Sequence, residues 1–192
     1  MFVTFFFVNR LYSKEHKKGM SILRRIIYST FILLLVVSLF GCQRGLDRDP
    51  DLTGYVVEIA ENNILIASET PVDLSKNGGV SNYYDMVWFS NPPHDLSYGD
   101  KVNIWYDEIQ DSYPSRSTIV EYTIIEDISP NGAKFSESEV LNKVLSQLNS
   151  KPSELFAVHE TRYNSQNKTW QISLMEIWTQ EILTIEYSEL ES

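Results

Sequence analysis

The alternation of apolar and polar residues between about 52 and 128 predicts short β-strands without a helix. In Gly54–Ala60, Tyr55, Val57 and Ile59 fall on one face. Turn-forming residues separate the apolar runs. Five strands are predicted, at about 54–60, 63–67, 85–89, 101–107 and 118–126. Five strands in succession predict a small OB-like β-barrel, because closure would remove the edges that an open sheet exposes.

A helix followed by three strands is predicted for residues 129–192. Ser136 and Glu139 form a capping box, which marks the start of the helix. Its apolar residues recur at helical spacing and are Val140, Leu141, Val144, Leu145 and Leu148. Strands at about 155–162, 169–177 and 182–187 then predict a three-stranded antiparallel meander. The predicted fold class is α+β, mostly β.

The segment before residue 42 has the organisation of a secretory signal. After Met20, Arg24 and Arg25 precede about fifteen mostly apolar residues. This apolar run is shorter than the roughly 20 residues of a comfortable membrane span. Leu39-Phe40-Gly41-Cys42 resembles the lipobox of bacterial lipoprotein signals, although Phe40 is bulkier than usual.

The lipobox resemblance implies that the thiol of Cys42 is diacylated and that the signal is cleaved before Cys42. The chain would then be held at the extracytoplasmic face of the cell membrane, with the membrane as its first partner. The alternative is an uncleaved membrane anchor in which Cys42 has no role. Residues 1–19 either precede a true start at Met20 or lengthen the basic region of the signal.

Four segments follow from these patterns. Residues 1–41 are the predicted signal peptide and 42–51 a lipidated tether. Residues 52–128 form the predicted barrel domain, and 129–192 a C-terminal αβββ module.

The charge of the chain beyond the signal is strongly negative. Residues 42–192 carry 10 basic and 25 acidic side chains, a formal net charge of −15. Because proteins bind nucleic acids largely by neutralising phosphates with Lys and Arg, nucleic-acid binding is not expected.

Candidate catalytic chemistry is sparse. His94 and His159 have no second ligand at a metal-binding spacing. Asp107, Glu108 and Asp111 could seat a cation or act as paired carboxylates, but they surround a turn, where acidic side chains are ordinarily solvated. We therefore predict no catalytic residue, no metal site and no cofactor.

Two tryptophans are the candidate interaction surface. Trp88 and its neighbour Phe89 point to opposite faces of one strand, and Trp105 lies on the face opposite Val102 and Ile104. Exposed aromatic residues on OB-like barrels often contact ligands. Trp105 could equally be the surface on which the C-terminal helix docks, and docking is the favoured interpretation.

Several motifs resemble a family of small lipoproteins from Gram-positive spore-formers, known as domain of unknown function 3221 (DUF3221). They are Gly54-Tyr55-Val56-Val57-Glu58-Ile59, Val87-Trp88-Phe89, Tyr98 to Asp107 and Asp111-Ser112-Tyr113-Pro114. The resemblance implies a fold and a location and carries no activity. The C-terminal αβββ order is similar to PepSY-type modules of bacterial envelope proteins. The alternative is an extension of the chain that packs on the barrel.

These observations favour a non-catalytic binding or interaction module, anchored outside the cell, with an envelope protein as a further partner. One alternative is an accessory or inhibitory partner of an envelope peptidase, acting through the C-terminal module. The other is an unrecognised hydrolase that uses the acidic turn or His94.

Overall fold

The computed structural model describes residues 48–148 and 154–190, which form two β-sheets and one α-helix. The predicted signal, Cys42 and the first part of the predicted tether lie outside the described residues. In chain order the elements are β1 (Leu52–Ala60), β2 (Asn63–Ser68), a 3-10 helix (Ser75–Asn77), β3 (Met86–Ser90), β4 (Lys101–Trp105), β5 (Ile109–Gln110), β6 (Ser115–Thr118), β7 (Glu121–Ile124), α1 (Glu137–Leu148), β8 (Phe156–Asn164), β9 (Thr169–Glu176) and β10 (Ile182–Ser188).

The first sheet has seven strands in the order β5-β6-β3-β2-β1-β4-β7. Neighbouring strands are antiparallel, except that β3 and β6 are parallel. Strands β1 to β4 lie where the first four strands were predicted. The mostly β composition, with one helix and a second, three-stranded sheet, is therefore confirmed.

The predicted five-stranded barrel is wrong, because the ladder of the first sheet does not close. The predicted strand at 118–126 is interrupted at Ile119 and Val120, between β6 and β7. β6 pairs with β3 and β7 pairs with β4, so they lie towards opposite ends of the sheet. Thr118 and Glu121 are at most about 11 Å apart along the chain, so the sheet must curl strongly. It is an open, curled sheet.

The two faces of the first sheet pack in two different cores. The inner core lies on the concave side and is formed by Leu52, Val56, Ile64, Ile66, Val87, Phe89, Leu96, Val102 and Ile104. The outer core includes Tyr55, Val57, Leu65 and Met86 and continues into α1 and the second sheet. A bulge between Val56 and Glu58 shifts the alternation of β1, so Ile59 packs against the inner core rather than beside Tyr55 and Val57 as predicted.

The helix α1 covers the second sheet, whose strand order is β10-β9-β8. The predicted capping box is present: the Ser136 hydroxyl accepts from the Glu139 backbone N–H at 3.3 Å, and Glu139 Oε2 accepts from the Ser136 N–H at 2.8 Å. The predicted apolar stripe is buried at Val140, Leu141, Val144 and Leu145. It packs against alternate residues of β9, including Ile172.

The loop before β4 lies directly against α1. Gly99 has a φ of 82°, and a Cβ at this position would lie 2.6 Å from the Leu141 Cβ and 2.8 Å from the Ser138 carbonyl oxygen. Asn142 Nδ2 donates to the Tyr98 carbonyl oxygen at 3.2 Å. The predicted segments 52–128 and 129–192 thus share the outer core, and the division of the chain between them stays a prediction.

Candidate functional site

A cleft of about 800 Å³ opens on the outer face of the first sheet, beside β3, β5 and β6. We call it the Trp88 cleft. Its lining residues are Ala60, Asn63, Trp88, Ser90, Asp107, Glu108, Ile109, Gln110, Arg116, Ser117, Thr118 and Val120. One large aromatic ring and several short polar side chains therefore face the same volume.

Trp88 contributes the largest apolar surface of this cleft. Its ring is half-buried and packs against the outer core, whereas its neighbour Phe89 is completely buried in the inner core. The prediction that the two side chains point to opposite faces is confirmed. Within the described residues the Trp88 indole N–H has no hydrogen-bond partner, and its nitrogen is not buried. This donor is therefore available to a ligand or to water.

Charged groups of both signs flank the ring. Arg116 lies directly opposite Trp88 in the parallel β3–β6 ladder. Glu108 lies on the neighbouring segment, and neither Arg116 nor Glu108 forms an ion pair with another described residue. Asp107 is bound by Arg48, whose Nη2 lies 3.3 Å from its Oδ1. The unpaired charges of the lining therefore nearly cancel.

Hydroxyl groups hold the wall of the cleft together. Ser117 Oγ donates to the Glu108 carbonyl oxygen and fixes β5 beside β6. Ser90 Oγ lies 3.2 Å from Thr118 Oγ1 and links β3 to β6. The strands that supply part of the lining are therefore locked together, whereas Asp107, Glu108 and Val120 lie in the connections between strands.

The acidic turn is only partly assembled into this site. Asp107 and Glu108 line the cleft, but Asp111 does not. Among the described residues, no group of three or more His, Cys, Asp or Glu side chains is placed to hold a metal ion.

Trp105 is separated from the cleft and covered by the chain that precedes β1. It is 9% exposed, and its indole N–H donates to the Arg48 carbonyl oxygen at 2.9 Å. Arg48 also donates to the Tyr106 carbonyl oxygen at 3.1 Å, and Asp51 Oδ2 accepts from the Tyr106 N–H at 2.9 Å. The end of the predicted tether is thus bound to the end of β4, beside Asp107. A ligand role for Trp88 or Trp105 stays a prediction.

His94 and His159 lie apart from the Trp88 cleft. His94 is exposed in the loop between β3 and β4. His159 Nδ1 is hydrogen-bonded to the hydroxyl of Tyr84 at 2.9 Å. Because Tyr84 is 1% exposed, this bond satisfies a buried hydroxyl group and gives His159 a structural role.

A second aromatic group was not identified from the sequence. Tyr113 contacts Tyr83 at a ring-centroid distance of 5.2 Å and Trp178 at 5.8 Å, and Trp178 is 54% exposed. The Tyr113 hydroxyl donates to the Tyr84 carbonyl oxygen. Burial, with the nearby Tyr83 and two carboxylates, raises the pKa of Tyr113 to about 12. These rings come from three separate turns, which no local pattern brings together.

The fold and the cleft define a small, mostly β domain that carries a polar cleft with one aromatic wall. Residues 53–126 match the family described as "Protein of unknown function (DUF3221)". The predicted resemblance to DUF3221 is thereby confirmed for this part of the chain. The match ends before α1, so the C-terminal segment lies outside it.

The other comparisons gave no relatives. No curated protein matches the chain. No solved structure matches it either. Within residues 48–148 and 154–190, no helix is long and apolar enough to cross a membrane.

Proposed function

We propose that this chain is a lipid-anchored extracytoplasmic lipoprotein whose described part is a non-catalytic binding module, with the Trp88 cleft as its ligand site. The observation that carries the proposal is the cleft itself. It combines a half-buried indole with an unused N–H donor and unpaired charges of both signs, beside strands that are locked together.

The lining suggests the character of the ligand. Arg116 and Glu108 have opposite charges, so a ligand with a large net charge gains little from the site. The Trp88 ring favours an apolar face, and the surrounding amide and hydroxyl groups favour hydroxyls or amides. A polar molecule without net charge and with one apolar face, such as a sugar ring, has these properties.

The anchor follows from the sequence, since Leu39-Phe40-Gly41-Cys42 resembles a lipobox. Arg48 stands six residues after Cys42 and contacts Asp107, a residue of the cleft lining. The predicted tether therefore ends at the cleft. This arrangement supports a ligand that belongs to the cell envelope.

Photo-crosslinking in intact cells tests the proposed cleft. A photoreactive amino acid is placed at Gln110, which is exposed in the lining, and in a control chain at Gln171, which is exposed on the second sheet. We expect an adduct from position 110 that is lost with Trp88→Ala and kept with Trp88→Phe. The control position should not give this adduct.

Other outcomes would contradict the proposal. Membrane lipid as the sole adduct at both positions would leave the cleft without a specific ligand. An adduct at position 110 that survives Trp88→Ala would show that the aromatic wall does not bind it. An envelope peptidase captured from position 171 alone would favour the accessory-protein alternative.

A further inference from the structure

Strand β10 is an edge of the second sheet, and the hydrogen bonds show which of its backbone groups are unpaired. The Glu176 N–H donates to the Glu181 carbonyl oxygen and the Glu189 N–H to the Lys168 carbonyl oxygen, so residues 181 and 189 are bonded to β9. The β9–β10 register between them has no shift. Since hydrogen bonding alternates along an antiparallel strand, the backbone groups of Ile182, Thr184, Glu186 and Ser188 point to the open edge.

This edge carries one charged side chain, Glu186, and none of the other common protections against pairing. Its sequence, Ile-Leu-Thr-Ile-Glu-Tyr-Ser, contains no Lys, Arg or Pro and no bulge. Ile182 is 45% exposed and Leu183 is 38% exposed. Among the described residues, no strand pairs with it. The opposite edge, β8, carries a bulge and packs against β1 and β2.

We infer that β10 is a self-association surface, on which β10 of a second copy pairs in antiparallel orientation about a two-fold axis at Ile185. This register uses all seven residues from Ile182 to Ser188. It places Thr184 opposite Glu186 of the second copy and Ile182 opposite Ser188 of the second copy. All four are residues whose N–H and C=O groups point outward, so donors meet acceptors along the whole strand.

The side chains are self-complementary in this register. Ile185 meets Ile185 of the second copy, and Leu183 meets Tyr187 of the second copy. Leu183, Ile185 and Tyr187 lie on the face that packs against α1, opposite buried residues of β9. The apolar row would therefore continue across the axis and cover the exposed part of Leu183.

Neighbouring registers fit less well. A shift by one residue places outward backbone groups opposite inward ones, so the ladder cannot form. An axis at Glu186 would bring two carboxylates directly opposite each other, which is unfavourable. An axis at Thr184 leaves the Ser188 end of the strand unpaired. The full-length register is thus the one that joins every outward donor of β10 without placing the two Glu186 side chains directly opposite each other.

Charge distinguishes a second copy from a different partner. Because residues 42–192 carry 10 basic and 25 acidic side chains, two copies repel each other at long range. Salt screens such repulsion, so self-association should strengthen as salt rises from about 50 mM to about 500 mM. A basic peptide at the same edge would bind more weakly over that range.

Cysteine crosslinking of the full chain in membranes tests the register. Thr184→Cys and Glu186→Cys chains with different tags are co-expressed and oxidised; both side chains are exposed, so neither change disturbs the core. Residues directly opposite in an antiparallel pair lie within disulfide reach. We expect a mixed disulfide between the two tags and none within either tag. The chain with Cys42 alone is the control.

The crosslinking results distinguish a second copy of this chain from a different partner at the β10 edge. A disulfide between two Thr184→Cys chains would overturn the register. The absence of any disulfide between copies would overturn self-association, and a disulfide to another protein would assign the edge to a different partner.

A proline variant tests the backbone pairing by a second route. Thr184→Pro removes an outward N–H and leaves the ladder with β9 intact, whereas Thr184→Val keeps the N–H. Native mass measurement of the detergent-solubilised full chain should show dimers for wild type and Thr184→Val and monomers for a Thr184→Pro chain whose circular dichroism is native. Dimers of folded Thr184→Pro would contradict the inference.

Discussion

Replacing Gly99 with alanine should strongly destabilise the fold by separating α1 from the first sheet. Two effects combine at this position. A φ of 82° costs an L-residue about 1–2 kcal/mol. The added Cβ would lie 2.6 Å from the Leu141 Cβ and 2.8 Å from a helix carbonyl oxygen, and such overpacking costs about 1–3 kcal/mol. The expected loss is about 2–5 kcal/mol of unfolding free energy.

Gly78 provides a matched control for this experiment. Its φ is 79°, almost the same as that of Gly99, but nothing lies within 4 Å of a Cβ at this position. Gly78→Ala should therefore lose only the unfolding free energy that the positive φ costs, about 1–2 kcal/mol. The difference between the two variants isolates the contact between the loop and α1.

Urea unfolding of residues 46–192, followed by tryptophan fluorescence, measures both changes against the wild type. We expect Gly99→Ala to lose at least about 1 kcal/mol more than Gly78→Ala. Equal losses would show that the loop does not lie against α1. The shared outer core of the two segments would then need to be reconsidered.

Two further predictions concern the start of α1 and the end of the chain. Glu189 is buried and accepts hydrogen bonds from the Lys134 and Phe135 N–H groups and from two aromatic side chains. Burial alone would raise its pKa, but these hydrogen bonds outweigh it and lower the pKa. The stability from this carboxylate should be present at neutral pH and be lost as the pH falls from about 4.5 through the lowered pKa. In Glu189→Gln the unfolding free energy should therefore change less with pH over this range. The same pH dependence in Glu189→Gln and wild type would contradict the role. Ser136→Ala should lower the unfolding free energy, measured by calorimetry, by about 1 kcal/mol, because it removes the helix cap. Ser146→Ala, at an exposed position of the same helix, should lower it little. Equal losses in the two variants would argue against the cap.

The sequence predicted the elements that depend on local patterns. Strands β1 to β4, the α1 cap and the C-terminal meander each follow from alternation, helical spacing or turn residues within a few positions. The barrel failed because closure depends on pairing between distant segments. A break of two residues at Ile119 and Val120, and a strand as short as β5, leave no clear pattern in the sequence.

The candidate site was predictable only in part. The alternation of β3 correctly indicated that Trp88 and Phe89 face opposite sides. It could not show that Arg116 lies beside Trp88, because a parallel pairing between β3 and β6 brings them together. The covering of Trp105 by Arg48 likewise depends on where the chain before β1 lies in space.

The proposed function depends on a lipid on Cys42 that would hold the binding module outside the cell. The most direct test is the intact mass, with N-terminal fragmentation, of the protein extracted from membranes. We predict a chain that begins at Cys42 and carries a diacylglyceryl group. A chain that retains Arg24 and Arg25 and an unmodified Cys42 thiol would contradict the claim.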